Sequence, residues 1–322
     1  LRDVAVRAGV STATVSFVLN DSKPVAPETR ARVEAALAAL DYRMSPSARA
    51  LRTGRHQAIG LLLPDLANPF FPALAQAVTD AAWAHRHALI LASSGSDAAT
   101  EAEALAALAE RADGIIWIPG TESPDHRPTG PAVILDRPSP AFASYDSIAA
   151  DHHEGGALVA AAFRAQGRRR IGLLAGPATS PSAAGRAEGF LANASGLDII
   201  WHHEVPFALT LPEPACAWLA APRLDGIFAA SDVVAIGTLR RLRALGRAVP
   251  DDVAVIGFDD IPWAALTEPP LTTIRQPVDA LGHSAVETLL ARIAAPTTPV
   301  VHHRLAVTLI ERASTSAPGH VA

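Results

Sequence analysis

The segment QAIGLLLP at 57–64 returns as RRIGLLAG at 169–176, and DGIIWI at 113–118 returns as DGIFAA at 225–230. Ile59 and Ile171 are 112 residues apart, and so are Asp113 and Asp225. VILD at 133–136 is echoed by VIGFD at 255–259, with Val133 and Val255 122 residues apart. Each copy is a short apolar run suited to a strand buried on both faces, and helix-period segments separate the runs. Two anchors at one offset predict two similar α/β lobes in tandem, each a parallel sheet with helices on both faces. In the first copy, strands at 58–63, 88–92, 114–118 and 132–135 are expected, with helices over about 72–86 and 98–111. The chain is expected to return to the first lobe after Thr273, through a helix over about 277–293 and one late strand at 304–312. Ligands bind beyond the carboxyl ends of strands in open α/β sheets, so a cleft between the lobes is the place to look for a site.

Residues before 57 do not follow this pattern. Leu1, Val4, Ala5 and Ala8 mark one face of a helix that Gly9 can end. Ser11 can cap a second helix whose inward residues are Val15, Val18 and Leu19. A third helix starts near Pro27, with Val33, Ala36, Leu37 and Leu40 facing inward. Two short helices joined by a Gly-containing turn and braced by a third read as a helix-turn-helix, whose second helix would enter a DNA major groove. A three-helix domain for protein contacts is the competing reading. Charge favours nucleic acid: residues 1–57 hold nine Lys and Arg against five Asp and Glu, while the rest holds 18 against 27. A basic head thus precedes an acidic body in a chain of net charge −5.

Other classes find little support. No run of about 18 apolar residues occurs, so no membrane partner is expected. Cys216 is the one cysteine, which excludes a disulfide within the chain. No secretory signal is legible, and a cytoplasmic, nucleoid-associated location is expected. There is no GxGxxG, no GK[ST] and no GxSxG. His-His pairs at 152–153, 202–203 and 302–303 lack the spacing of a zinc site. No cofactor, metal or catalytic residue is expected, and the chain does not read as an enzyme.

LRDVAVRAGVSTATVSFVLND, VAPETRARVEAALAALDYR and SPSARALRTGR resemble the head of the lactose/galactose-repressor (LacI/GalR) family of transcription regulators through residues 1–55. The resemblance implies an N-terminal all-α helix-turn-helix domain (1–44), a hinge helix and linker (45–56), and a two-lobed periplasmic-binding-protein-like α/β domain (57–313) that binds effector and dimerises. A disordered tail (314–322) would follow. By position, Thr12, Ala13 and Phe17 fall where the family reads bases, and Ser11, Thr14, Ser16 and Asn20 among its phosphate-positioning and capping places. Phe17 departs from the family's frequent Arg or His; Phe can contact a thymine methyl but cannot make a bidentate bond to guanine. In the hinge, Leu51 stands where an apolar wedge kinks the duplex, and Arg49 and Arg52 lie near phosphates.

In the body, DLANPFF, GPATSPSAAGRAEGF, AASDVVAIGTLRRLRALGRAVPDDVAVIGFDD and LTTIRQP resemble the family's effector domain. The resemblance marks Asp65, Asn68, Phe70, Phe71, Arg137, Arg186, Ser231 and Asp259 as effector contacts, with Asp151 at another recurring place. His152 replaces a frequent Asn beside it. Phe207 and Trp263 are candidate stacking faces. The expected partners are double-stranded operator DNA, a second copy of the chain (a homodimer or higher assembly) and a small-molecule effector. Carboxylates, amides and arginines suit the hydroxyls of a sugar; a nucleobase or other metabolite is the alternative, and a solute-binding module of a transporter a further one.

Overall fold

The computed structural model describes residues 1–42, 55–120, 127–221 and 223–315. They belong to two compact units, Leu1–His56 and Gln57–Ala322.

The first unit holds α1 (Arg2–Ala8), α2 (Thr12–Asn20) and α3 (Pro27–Ala39). Gly9 ends α1 at φ 62°, a left-handed conformation that glycine adopts without a Cβ clash, and its N–H returns to the Ala5 and Val6 carbonyls. The chain then turns, and the Ser11 side chain accepts from the Thr14 N–H at 3.1 Å, satisfying a free donor of α2. α3 starts on Pro27 with no side-chain cap from Ala26. Val4, Ala5, Ala8, Val15, Val18, Val33 and Ala36 form the core, with Leu19, Leu37 and Tyr42 partly buried around it. Leu1 and Leu40, expected inside, are each 40% exposed because they stand at helix ends beyond the three-helix contact.

In the second unit the repeat becomes two six-stranded sheets. Lobe one contains β1 (Ala58–Leu63), α4 (Phe70–Ala84), β2 (Ala88–Ser93), α5 (Ala98–Ala109), β3 (Gly114–Trp117), β4 (Ala132–Leu135) and β5 (Asp146–Ala150). The chain then crosses into lobe two, with α6 (His152–Ala165), β6 (Arg170–Ala175), α7 (Pro181–Ala192), β7 (Asp198–Glu204), α8 (Ala215–Leu219), β8 (Gly226–Ala229), α9 (Asp232–Ala244), β9 (Ala254–Asp259) and β10 (Thr272–Arg275). It crosses back for α10 (Val278–Ala294) and β11 (His302–Leu305), and a third time for β12 (Thr308–Ile310). The strand orders correspond one to one: β11-β5-β4-β3-β1-β2 and β12-β10-β9-β8-β6-β7. Register corresponds too, since Ile59 pairs with Gly114 and Ile171 with Gly226. The sheets differ at one edge: β11 runs parallel to β5, whereas β12 runs antiparallel to β10.

The repeated aspartates explain part of this match. Asp113 accepts from the Gln57 N–H at 2.8 Å, and Asp225 accepts from the Arg169 N–H at 3.0 Å, so each fastens the start of the first strand of its lobe to the third. The strands are apolar on both faces because helices cover both; every residue of β1, β3, β4, β8 and β9 is buried. α6 and α7 pack backbone against backbone at Gly156 and Gly189, where a Cβ would strike the Arg186 and His153 carbonyl oxygens. That close approach brings the start of α6 beside Arg186.

Two expectations need correction. The single strand at 304–312 is two short strands in different sheets, because the chain crosses between lobes at Ala306 and Val307; a run of apolar residues carries no mark of such a crossing. The tail does not begin at 314. Ser314 and Thr315 are buried, and Ser314 donates to the Val255 carbonyl at 2.6 Å while accepting from the Thr272 N–H at 2.8 Å. Their small hydroxyls pair with the sheet edge, so these residues extend the body. No described helix is long and apolar enough to cross a membrane.

Candidate functional site

In the first unit, Val15 and Val18 turn α2 inward, so the opposite side of its first turn faces outward. Ser11, Thr12 and Ala13 are exposed, and Thr14, Ser16 and Phe17 half-buried. Ser11 and Thr14 are tied by a hydroxyl pair at 2.9 Å as well as by the cap. The Lys23 ammonium lies 5.0 Å from the centre of the Phe17 ring, a cation–π distance that joins a positive charge to this aromatic. The side chain of Asn20 and all of Arg49, Leu51 and Arg52 lie outside the described residues.

In the second unit the loops beyond the strand ends converge on a cavity of about 470 Å³. Lobe one supplies Asp65, Asn68 and Phe71, then Ser96, Gly120 and Arg137; lobe two supplies Thr179, Ser180 and Phe207. Local bonds fix the loop after β1: Asp65 accepts from the Ala67 N–H at 2.7 Å, and Asn68 accepts from the Phe70 N–H at 3.1 Å. Arg137 donates to the Pro119 carbonyl at 3.0 Å and lies 5.5 Å from the centre of the Phe71 ring.

The floor below is a chain of charges. Arg186 donates to the Ala230 carbonyl at 2.7 Å, stands 3.1 Å from the Asp259 carboxylate, and lies over the Phe258 ring at 4.0 Å. Its Nε donates to His152 Nδ1 at 3.3 Å. His152 Nε2 stands 3.1 Å from the Asp136 carbonyl oxygen and 3.4 Å from its carboxylate. Gln276 donates to Asp259 at 2.7 Å. Burial pushes the Asp259 carboxyl up to about 6 against the pull of Arg186, and nearby Asp136 adds to the rise. Burial also acts to raise Asp136, but His152 and both arginines outweigh it and hold it below the ordinary carboxylate value. Burial lowers Arg137, with Asp136 opposing. Gln276 Oε1 is buried without a hydrogen-bond partner among the described residues, while Asp136 Oδ1 and Arg137 Nε have only longer ionic contacts, 3.4 Å to His152 and 3.7 Å to Asp136. Such atoms cost free energy unless a ligand or water reaches them.

Of the residues expected to contact effector, Asp65, Asn68, Phe71, Arg137 and Phe207 line the cavity, while Phe70, Arg186, Ser231 and Asp259 join several of them around the small gap at its floor. Ser231 also caps α9, accepting from the Val234 N–H. Two do not join them. Asp151 caps α6 and lines a separate cavity of about 200 Å³ with Ser182, Glu188 and Arg304. Trp263 stands 43% exposed on a turn of 3₁₀ helix, Pro262–Leu266, and is not among the lining residues. His152, Gln276 and Phe258 were not singled out as contacts, although Gln276 and Phe258 fall within LTTIRQP and VIGFD. Their role depends on which strands neighbour each other, and a linear motif does not give that.

Residues 1–45 match the family described as bacterial regulatory proteins, lacI family, and residues 160–315 match the periplasmic binding protein-like domain. The chain is 36% identical to the ribose operon repressor of Bacillus subtilis over 98% of each protein. It is 33% identical to the transcriptional repressor PurR of Pectobacterium atrosepticum, over 98% of this chain and 96% of that one. The structure superposes on a lac repressor dimer bound to operator and the anti-inducer ONPF with a TM-score of 0.86 at 28% identity, covering 97% of this chain and 98% of the other. A helix-turn-helix head, paired α/β lobes and full-length similarity to repressors converge: the chain belongs to the lacI family of bacterial regulatory proteins and is a DNA-binding transcription regulator, not an enzyme.

Proposed function

We propose that this regulator represses transcription as a homodimer on operator DNA and that a sugar bound between its lobes controls its affinity for the operator. The observation that carries the sugar reading is the cleft floor, where the polar side chains of Asn68, Arg137, Arg186, Ser231 and Asp259 converge from both lobes. A polyhydroxylated ligand has donors and acceptors for all of them, and Phe71 and Phe207 offer apolar faces from opposite lobes. The ribose operon repressor among its relatives points the same way. Thr12, Ala13 and Phe17 would read bases, while Ser11, Thr14 and Ser16 would position the helix on phosphates. Arg49, Leu51 and Arg52 would act in the minor groove at the hinge. A ligand shifts operator affinity only by preferring one lobe arrangement to the other.

Thermal denaturation across a panel of sugars, nucleobases and amino acids tests the reading. A ligand that binds only the native state adds about 2.7 kcal/mol at 100 times its dissociation constant. Stabilisation by a sugar is expected; stabilisation by nucleobases alone would replace the sugar with a planar base, a reading that the PurR relative keeps open.

A further inference from the structure

His152 is held in a way that a filler residue is not. It is buried, at the first position of α6, where the chain has just crossed from lobe one to lobe two. Arg186 donates to its Nδ1, so that nitrogen carries no proton; the proton is then on Nε2, facing the Asp136 carbonyl at 3.1 Å. Arg186 stands on α7 of lobe two and Asp136 just after β4 of lobe one. His152 therefore spans the two lobes with one accepting and one donating nitrogen. Its other side lines the cavity of about 200 Å³, so the ring forms part of the wall between that space and the cleft floor. The charged and titratable groups around it are Asp136 and Arg137 after β4, Arg186 on α7 and Asp259 at the end of β9 on the cleft side, and Asp151 and His153 at the start of α6, Glu188 on α7 and Arg304 on β11 on the side of the smaller cavity.

We infer that His152 is a positioning residue of the effector cleft, which as the Nε2–H tautomer aims the Arg186 guanidinium and ties it to lobe one through Asp136. This rests on the cleft being the effector site. Without the imidazole acceptor, the guanidinium keeps Ala230 and Asp259 but loses the bond that fixes its third edge. A second proton on His152 would set an N–H against the Arg186 N–H and break the same bond.

The test has two arms, both on the full chain. In the first, nitrogen-15 spectra of histidine-labelled, ligand-free protein report which ring nitrogen is protonated, with His152→Gln assigning the signals by their loss. The expected result is a neutral ring protonated on Nε2, whose Nδ1 signal moves in Arg186→Ala. A proton on Nδ1, an imidazolium at neutral pH, or an Nδ1 signal indifferent to Arg186→Ala overturns the proposal. In the second, D-ribose is titrated calorimetrically into wild type, His152→Gln and His152→Phe. Gln keeps an acceptor and a donor, and binding close to wild type is expected; Phe keeps neither, and a loss of roughly ten- to hundredfold is expected. Equal losses in the two variants, or no loss in His152→Phe, overturn it. If wild type takes no D-ribose, the sugar reading fails for that probe, and the nitrogen spectra alone decide on His152.

Discussion

The two lobes share a scaffold and divide the chemistry. Strand order recurs, and the register of the first strand with the third and the aspartates that fasten it recur at an offset of 112. The same offset takes Leu74 of α4 to Arg186 of α7. Leu74 is fully buried in the apolar core, whereas Arg186 turns its guanidinium to the cleft floor. It also takes Gly120, at the cavity wall, to Asp232, whose carboxylate is fully buried and bridges the Ile261 N–H and the Thr273 hydroxyl. Where the repeat preserves a residue, that residue holds the sheet; where the repeat breaks, the lobe has acquired a role its twin lacks.

The largest contrast is at the pair related by that offset. Arg186→Ala is expected to abolish ligand stabilisation, removing the about 2.7 kcal/mol that a saturating ligand adds at 100 times its dissociation constant. Leu74→Ala is expected to cost about 2–5 kcal/mol of folding stability through the cavity it leaves, while the remaining folded protein still responds to ligand. Denaturation with and without ligand separates the two effects, and the opposite assignment would break the comparison.

The fastening aspartates should behave alike. Asp113→Ala and Asp225→Ala each leave backbone donors unpaired and are expected to cost about 1–3 kcal/mol. Asp225 takes both the Arg169 and Arg170 N–H groups and stands 3.1 Å from the Arg170 guanidinium, and Asp113 takes the Gln57 N–H and stands 4.0 Å from His87 Nε2. Urea titrations of both variants measure the two losses.

Asp232 sharpens the contrast through pH. Burial, with Asp259 nearby, raises its carboxyl well above the ordinary 3.8, so folding takes up a proton and stability falls as pH rises from about 4 through the raised value. Asp232→Asn is expected to raise the melting temperature at pH 8, by about 2–4 °C for each kcal/mol recovered. The gain should shrink at low pH, where the wild-type carboxyl holds its own proton. Trp263→Ala should have the smallest effect, within about 0.5 kcal/mol and with ligand stabilisation unchanged, because that ring is exposed and not among the residues that line the cleft.

The two-lobed plan was legible because the apolar runs IGLLL and IGLLA, and with them DGI, return at a spacing of 112. The helix-turn-helix was legible because Gly9 and Ser11 mark a stop and a start with distinct local chemistry. Much of the cleft lining was marked by the family resemblance of motifs such as DLANPFF, which stands just after β1. The floor was less legible. His152 meets Arg186 only because α6 and α7 close on each other at Gly156 and Gly189, a contact between segments whose spacing in sequence gives no hint of it. Both Asp151 and His152 line the smaller cavity, but the Asp151 side chain is committed to capping α6, so a one-residue difference decides which of the two meets Arg186.

The three crossings also set an order of manufacture. A ribosome that has completed β1 to β5 has not yet made α10, which buries Leu281, Val286 and Leu289 against α4 and the lobe-one sheet, nor the edge strand β11. All of lobe two except β12 must be synthesised first. The nascent first lobe therefore keeps an apolar flank uncovered through more than a hundred residues of further translation, the stretch in which a chaperone has most to bind.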